Sequence, residues 1–186
     1  NRPQNPEEFV TGNTGLTEQL CASIKDSGRR VPVVYTSSIQ AEFDNDYGSS
    51  KRAAEDALFA LQRDTGNPVF IYRLPNVFGK WARPNYNSAV ATFCHNVARD
   101  LRIQINDPAA VIRLVYVDDV VESFMALLAG VESISPRLDN AYVEVTPEYR
   151  ISVGELADQL NRFKYTRDNL ITEPVGTGLV RALYST

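Results

Sequence analysis

The sequence predicts an α/β protein. Two β-branched apolar runs, residues 31–35 and 68–73, are bounded by turn-forming residues and are typical of buried strands. Between them, the stretch RAAEDALFALQR places apolar residues at helical spacing and predicts an amphipathic helix. With 186 residues, 44% hydrophobic and 23% charged, the chain fits a globular domain of ordinary composition.

Composition and charge exclude several classes of function. The net charge is −4 and no basic block is present, which argues against a nucleic-acid partner. No apolar run reaches membrane-spanning length and no signal peptide opens the chain, so we expect a cytoplasmic protein without a membrane partner. Cys21 and Cys94 lack metal-ligand spacing and His95 is the single histidine, so no metal site is predicted.

The N-terminal part predicts a helix over residues 6–27, with Gly28 as its C-cap. Its inward-facing residues are Phe9, Leu16, Leu20 and Ile24. Inside it, VTGNTGL mimics the glycine-rich turn that cradles a dinucleotide pyrophosphate. Such a turn follows a strand and needs a third glycine, where this chain has Glu18. We therefore interpret the stretch as helix and not as a phosphate loop.

The central segment predicts a proton-donating site. The first apolar run ends in Thr36, Ser37 and Ser38, and after a short acidic loop Tyr47 and Lys51 open the amphipathic helix. Four residues apart, the phenol and the ammonium share one helical face. A Tyr-x-x-x-Lys spacing alone is weak evidence, and two serines after a strand are ordinary loop chemistry. The order strand, serine pair, turn, Tyr-x-x-x-Lys and long helix favours a functional site.

The remaining chain predicts further short elements. We expect a turn at Gly66, a loop over 81–86 and a helix starting near residue 120 with Asp118 as its N-cap. The other predicted elements are a helix over 88–99, a strand over 102–106, a strand over 140–146, and a helix over 152–163 whose capping box pairs Ser152 with Glu155. Residues 164–186 show no clear period and are expected to form a linker.

The central segment resembles the active site of the extended, nucleotide-sugar-modifying branch of the short-chain dehydrogenase/reductase superfamily. The resemblance implies the C-terminal part of a Rossmann-type, doubly wound parallel sheet plus a small mixed α/β substrate-binding region. It implies that Ser38 hydrogen-bonds the reacting oxygen of the substrate with Ser37 in support, and that Tyr47 is the acid/base. Lys51 would hold the nicotinamide ribose, Tyr47 and Ser37 would also contact the cofactor, and Asn13 would order a catalytic water chain.

The same resemblance predicts an effect of Lys51 on the Tyr47 phenol. A free phenol has a pKa near 10, and a nearby cation favours its charged form. We therefore expect Lys51 to lower the pKa of Tyr47 towards the working pH, where acid/base catalysis is most effective.

Two later segments resemble the substrate- and cofactor-binding parts of the family. In RLPNVFG, Pro75 would lie against the nicotinamide through its backbone and Asn76 would contact the nucleotide-sugar. Arg83 falls in the loop expected to bind substrate. In RLVYVDDV, Arg113 would grip the diphosphate, because a guanidinium fork matches phosphate oxygens; the alternative is an ordinary surface arginine on a strand.

The combined motifs NRPQ, YTSSIQA, DNDYGSSK and RLPNVFGKW resemble a bacterial group of reductases of UDP-N-acetyl-L-fucosamine synthesis, which serve capsule and O-antigen and carry a C-terminal cupin domain. The implied reaction is NADPH-dependent reduction of the 4-keto group of a UDP-2-acetamido-2,6-dideoxy-hexos-4-ulose. Dehydration is disfavoured because Ile39 and Gln40 stand where dehydratases have Asp and Glu. A UDP-sugar 4-epimerase and a non-catalytic dinucleotide-binding or interaction protein remain the alternatives, and the residues do not separate NADPH from NADH.

The resemblance also implies an organisation for the chain. Residues 1–79 are expected to belong to the NAD(P)-binding domain, 80–165 mainly to the substrate-binding region and 166–186 to a tail or linker. On this view the chain is an internal piece of a longer enzyme, without the first strands and their phosphate loop. A homodimer is expected through the helices around residues 8–26 and 48–63.

Overall fold

The computed structural model describes residue 5, residues 7–130 and residues 142–186. The chain divides into two compact units. The first comprises the described residues up to Pro75 together with those of 125–145, and the second comprises residues 76–124 and 146–186. Both units mix helices with strands, which confirms the predicted α/β class.

The first unit begins with a helical run and continues with a strand, a helix and a second strand. Its elements are α1 (Glu7–Phe9), a π-helical stretch (Val10–Gly15), α2 (Leu16–Ser27), β1 (Val33–Ser38), a 3₁₀ turn (Ile39–Glu42), α3 (Asp46–Thr65) and β2 (Val69–Leu74). The predicted helix over 6–27 is therefore confirmed for its described residues, and Gly28 ends it in the left-handed conformation expected of a C-cap. Its predicted inward face is wrong in part, because Leu16 and Leu20 are exposed and the buried residues of α2 are Thr17 and Cys21.

The two strands of this unit form a parallel pair joined through α3. Val33 lies opposite Val69 and Ser38 lies opposite Leu74, so the strand extends through the serines that the sequence placed after it. The core beneath contains Leu58 and Leu61 of α3, both fully buried. Each such side chain contributes about 1.5–3 kcal/mol of burial free energy, which fixes α3 on the strands.

A buried amide fixes the approach to β1. Asn67 is 1% exposed, and its Nδ2 donates to the carbonyls of Arg29 at 3.2 Å and Val31 at 2.9 Å. Gly66, the C-cap of α3, precedes it with φ of 71°, as the predicted turn requires. These bonds hold the segment before β1 beside the start of β2.

The second unit contains a three-stranded sheet in the order β3-β4-β5. Its elements are β3 (Asn76–Phe78), α4 (Ala89–Ala98), β4 (Val111–Tyr116), α5 (Val117–Leu128, of which 125–128 belong to the first unit), β5 (Glu148–Ser152), α6 (Val153–Asn169) and α7 (Gly178–Tyr184). β3 pairs parallel with β4, and β5 pairs antiparallel with β4. Side chains of the sheet and of α4, α6 and α7 form one core, in which Phe78, Leu114 and Leu156 are almost fully buried.

The C-terminal elements differ in part from the sequence prediction. The capping box of Ser152 and Glu155 is confirmed at the start of α6. The helix runs to Asn169, and α7 follows it with Ala182 and Leu183 buried, where a linker without structure was expected. Ala182 and Leu183 are too few to show a helical period in the sequence, although both belong to the core of the second unit.

Two other predicted details are wrong. Residues 102–106 contain no strand. Ile103 and Ile105 pack against the core, so the alternating pattern arises from their burial and not from pairing with another strand. Asp118 is not an N-cap, because α5 already begins at Val117. It lies in the first turn, where a carboxylate is favoured by the helix dipole, and it pairs with Lys80 at 3.1 Å.

The predicted strand over 140–146 lies partly outside the described residues. Among residues 142–146, a single bridge joins Tyr142 to Ile71. No described helix is long and apolar enough to cross a membrane.

A close backbone contact at Gly48 yields a stability prediction. A Cβ on Gly48 would lie 2.1 Å from the carbonyl oxygen of Gln40 and 2.7 Å from that of Phe43. We expect Gly48→Ala in the full-length protein to lower the free energy of unfolding by about 1–3 kcal/mol, because overpacking outweighs the better helix propensity of alanine. The measurement is the denaturant midpoint.

Gly12→Ala is the matched control. It also adds one methyl group to a helical glycine, but nothing lies within 4 Å of that position. We expect its free energy of unfolding to stay level or to rise by up to about 1 kcal/mol. Equal stability of the two variants would contradict the packing described at Gly48.

Candidate active site

The strand β1, the 3₁₀ turn and α3 place the predicted proton-donating residues close together. Ser38 ends β1, and its Oγ accepts a hydrogen bond from the Gln40 amide at 3.2 Å, which begins the turn. Asn45 caps α3 through a 2.8 Å bond from the Gly48 amide. Tyr47 and Lys51 lie within α3, one helical turn apart, as the sequence predicted.

The Lys51 ammonium lies between two aromatic rings. Its Nζ donates to the carbonyl of Thr36 at 3.1 Å, and it lies 4.8 Å from the ring centroid of Tyr35 and 5.9 Å from that of Tyr47. Burial lowers the pKa of Lys51, and the charge of Glu55 opposes this shift. An ammonium has three donors, and its bond to the Thr36 carbonyl uses one of them, which leaves others for hydroxyl groups of a ligand.

The Tyr47 phenol is half-buried and packs edge-on against Phe9, with ring centroids 5.3 Å apart. Its pKa lies above the ordinary value of 10, because burial disfavours the phenolate; a hydrogen bond with Ser38 opposes the shift. The expected fall in the Tyr47 pKa is therefore wrong for this structure, since desolvation outweighs the favourable contacts. The raised pKa favours the protonated form of the phenol.

Asn13 is brought to the same end of α3. It lies in the π-helical stretch, and its Nδ2 donates to Ser50 Oγ at 2.9 Å, while Thr14 Oγ1 donates to the Ser50 carbonyl at 3.0 Å. Ser50 Oγ in turn donates to the carbonyl of Tyr47 at 2.8 Å. Inserted π-turns are frequent at functional sites, and this one directs Asn13 onto α3. The role of Asn13 in ordering water remains a prediction.

A buried carboxylate that the sequence analysis missed lies behind these residues. Glu55 is 1% exposed and accepts hydrogen bonds from the Ser37 hydroxyl, from the Arg73 guanidinium at 2.6 Å and from Tyr142 Oη at 3.1 Å. A signal was available, because Glu55 falls four residues after Lys51 on the buried face of α3. The Ser37 hydroxyl points to this carboxylate, and its proposed cofactor contact remains a prediction.

The second unit brings together two of the predicted substrate-binding residues. Asn76 Nδ2 donates to the carbonyl of Arg113 at 3.0 Å. The Arg113 guanidinium binds both carboxylate oxygens of Glu148, at 2.7 and 2.6 Å. The guanidinium lowers the pKa of Glu148. The Arg113 side chain is 40% exposed, so one edge of this pair faces solvent.

The other two predicted contacts lie in connecting segments. Arg83 is exposed in the loop between β3 and α4, with its guanidinium 5.9 Å from the Tyr86 ring. Pro75 is half-buried between β2 and β3. Over the described ranges, no group of three or more His, Cys, Asp or Glu residues could hold a metal ion.

Two residues of the first unit could hold part of a nicotinamide cofactor. Lys51 has donors left for ribose hydroxyls, and the Tyr47 phenol lies on the same face of α3.

Gly12 and Gly15 belong to a helical stretch that follows α1 and not a strand, which confirms that VTGNTGL is not a pyrophosphate turn.

Comparison with known proteins places this geometry among relatives. The chain is 59% identical over its whole length to the UDP-2-acetamido-2,6-beta-L-arabino-hexul-4-ose reductase of Pseudomonas aeruginosa. It spans about half of that relative, 49% of its length.

Solved structures show the same fold. The capsular polysaccharide assembling protein CapF from Staphylococcus aureus matches all of this chain with 49% of its own length, at a TM-score of 0.85 and 36% identity. The UDP-glucuronic acid 4-epimerase of Bacillus cereus, in complex with UDP-glucuronic acid and NAD, matches 99% of this chain and 68% of its own at a TM-score of 0.78. At 15% identity the latter shows the fold alone.

The model of the NAD dependent epimerase/dehydratase family matches residues 1–140, three quarters of the chain. The matched range contains the serine pair, Tyr47 and Lys51. The chain belongs to the NAD dependent epimerase/dehydratase family.

Proposed function

We propose that the full-length protein reduces the 4-keto group of a UDP-2-acetamido-2,6-dideoxy-hexos-4-ulose with NADPH, a step towards UDP-N-acetyl-L-fucosamine for capsule or O-antigen. The observation that carries the proposal is the grouping of Ser38, Tyr47 and Lys51 at the junction of β1 and α3. The 59% identity to a reductase of a closely similar sugar and the likeness to a capsule-assembling protein support it.

The proposed roles follow from the state of each group. NADPH, when bound, supplies the hydride to the carbonyl carbon. Ser38 donates a hydrogen bond to the carbonyl oxygen, and Tyr47 transfers its phenolic proton to that oxygen as negative charge develops. The raised pKa of Tyr47 keeps the phenol protonated at neutral pH, which is the form that reduction requires. Lys51 holds the ribose, and Asn13 orders the water that returns a proton to Tyr47.

The substrate would be held by residues of the second unit. We assign Arg113 to the diphosphate, with Asn76 and Arg83 as further contacts to the nucleotide-sugar. The Arg113 guanidinium is now bound by Glu148, so the diphosphate must share or replace that carboxylate. A planar guanidinium has five donors, which allows both partners at once.

Pro75 and Ser37 are proposed to border the nicotinamide, and the protein is proposed to be cytoplasmic. A homodimer would use the helical run of the first unit, where Val10, Leu16 and Leu20 are 57, 63 and 49% exposed. A two-fold contact through these side chains would remove apolar area from water.

NADPH consumption separates this proposal from its alternatives. A reductase oxidises one NADPH for each 4-keto sugar consumed, whereas a UDP-sugar 4-epimerase consumes none in net terms. A non-catalytic protein on this scaffold would leave both unchanged. We expect the full-length protein to oxidise one NADPH for each 4-keto sugar consumed. The oxidation is measured as the loss of the near-ultraviolet absorbance of the reduced nicotinamide.

Replacement of Tyr47 tests the proposed proton donor. Tyr47→Phe removes one oxygen and keeps the ring against Phe9, so folding and cofactor binding are retained. We expect kcat for NADPH oxidation to fall about 100- to 10,000-fold, the contribution of a positioned acid, with KM and melting temperature almost unchanged.

Tyr35→Phe is the matched control, because it removes the other phenol beside Lys51 and keeps the ring under the ammonium. Burial raises the pKa of Tyr35 to about 12, which makes it the poorer acid. We expect its kcat to stay within about threefold of the wild-type value, a change far below that of a lost catalytic acid. Retention of more than about a tenth of wild-type kcat by Tyr47→Phe would remove Tyr47 as the donor.

The raised pKa of Tyr47 determines the pH dependence expected of the reduction. Because the pKa of Tyr47 in the folded protein lies above its ordinary value of 10, the protonated fraction is close to one throughout the neutral range. The reductive kcat should therefore stay level between about pH 6 and 8 and fall only as the pH rises through the raised pKa. A decline of kcat centred near pH 7 in the wild type, absent from Tyr47→Phe, would contradict a Tyr47 phenol that stays protonated at neutral pH.

Replacement of Arg113 tests the proposed diphosphate contact. Arg113→Ala should raise KM for the UDP-sugar about tenfold or more with a smaller change in kcat, because the guanidinium binds substrate and transition state alike. Arg150→Ala is the control: it lies opposite Arg113 in the sheet and contacts the same Glu148, but at 3.6 Å and with 70% exposure. Equal KM values for the two variants would show that Arg113 has no special role.

A further inference from the structure

The Glu55 carboxylate accepts several hydrogen bonds within the first unit. It is 1% exposed and accepts from three side chains, those of Ser37, Arg73 and Tyr142. Arg73 binds both of its oxygens, with Nε at 3.1 and 3.2 Å and the terminal nitrogen at 2.6 Å. An isolated buried carboxylate costs several kcal/mol, so these donors must all be in place when the fold forms.

The partners of Glu55 belong to the segments that surround the proposed catalytic residues. Ser37 immediately precedes Ser38, and Ser37 lies opposite Arg73 in the parallel register of β1 and β2. Arg73 also contacts Glu42 at 3.4 Å, in the turn that leads from β1 to α3. Glu55 itself follows Lys51 by one turn of α3.

We propose, on the basis of the proposed function, that Glu55 is a positioning residue that holds the end of β1, and with it Ser38, in register with Tyr47 and Lys51 on α3. It touches none of the reacting atoms. Through Ser37 it fixes the strand, and through its own place on α3 it fixes the helix. Its bond to Arg73 joins α3 to β2, the strand that pairs with β1. This bond therefore opposes a shift of β1 and α3 along each other.

Geometry favours positioning over simple stabilisation. Buried ion pairs add little net stability compared with apolar residues of the same size, so stability alone does not explain a carboxylate at this place. Glu55 accepts hydrogen bonds from Ser37 on β1, Arg73 on β2 and Tyr142. All three bonds form together only in one relative arrangement of these donors. The Glu55 carboxylate also opposes the burial effect that lowers the pKa of Lys51.

The test compares two variants with a control on the same helix. Glu55→Gln keeps the shape of the side chain and removes its charge, whereas Ser37→Ala keeps the carboxylate and removes the hydrogen bond that β1 donates to it. Asp64→Asn makes the same carboxylate-to-amide change in α3, at an exposed pair with Lys25. Exposed pairs contribute little, so this control should stay within about twofold of wild type.

The first measurement is steady-state reduction by the full-length protein. We expect Glu55→Gln to lower kcat about 10- to 100-fold and to change KM less than about threefold, because misplacement of catalytic groups by an ångström costs on that order. Ser37→Ala should lower kcat by a smaller factor in the same pattern. Unchanged kcat in Glu55→Gln would overturn the proposal and leave Glu55 a structural residue.

The second measurement needs no cofactor or substrate. Deuterium exchange of backbone amides in the full-length protein should become faster in Glu55→Gln for peptides covering 33–38 and 46–51, and stay unchanged in Asp64→Asn. Equal exchange in Glu55→Gln and wild type would overturn the proposal even where kcat falls. If the wild-type protein reduces no 4-keto sugar, the proposed function fails, while the exchange result still decides whether Glu55 holds the two segments together.

Discussion

The arrangement of the first unit depends on one buried carboxylate. The Glu55 carboxylate on α3 accepts hydrogen bonds from a hydroxyl of β1, a guanidinium of β2 and the phenol of Tyr142. A charge removed from water is tolerated only when such donors compensate it, so the parallel strands and the helix must assemble with a fixed mutual register. Ser38, Tyr47 and Lys51 are the side chains whose relative positions this register sets.

Burial also determines the chemistry that these residues support. The same desolvation raises the pKa of Tyr47 and lowers that of Lys51, since it disfavours the charged form of each. A phenol that keeps its proton is suited to donate it, as reduction of a carbonyl requires. Removal of a proton from a sugar hydroxyl, with which a 4-epimerase begins, needs the phenolate instead.

Local parts of the fold and site could be predicted from the sequence, and long-range parts could not. The spacing of Tyr47 and Lys51 and the capping box at Ser152 depend on neighbouring residues, and the structure contains both. The contact of Asn13 with Ser50 and the bonds of Glu55 join residues 18 to 87 positions apart. Strand β3 has three residues, too few to show alternation, and it forms because β4 offers a partner edge.

The path of the transferred hydrogen distinguishes a reductase from the alternatives. The full-length protein would be incubated with the UDP-4-keto sugar and NADPH that carries deuterium at the transferable position of the nicotinamide. We expect one deuterium at C4 of the product sugar for each NADPH oxidised, with the rate of this transfer about 100- to 10,000-fold lower in Tyr47→Phe and almost unchanged in Tyr35→Phe. A sugar product without deuterium at C4, or conversion without net oxidation of NADPH, would contradict this expectation.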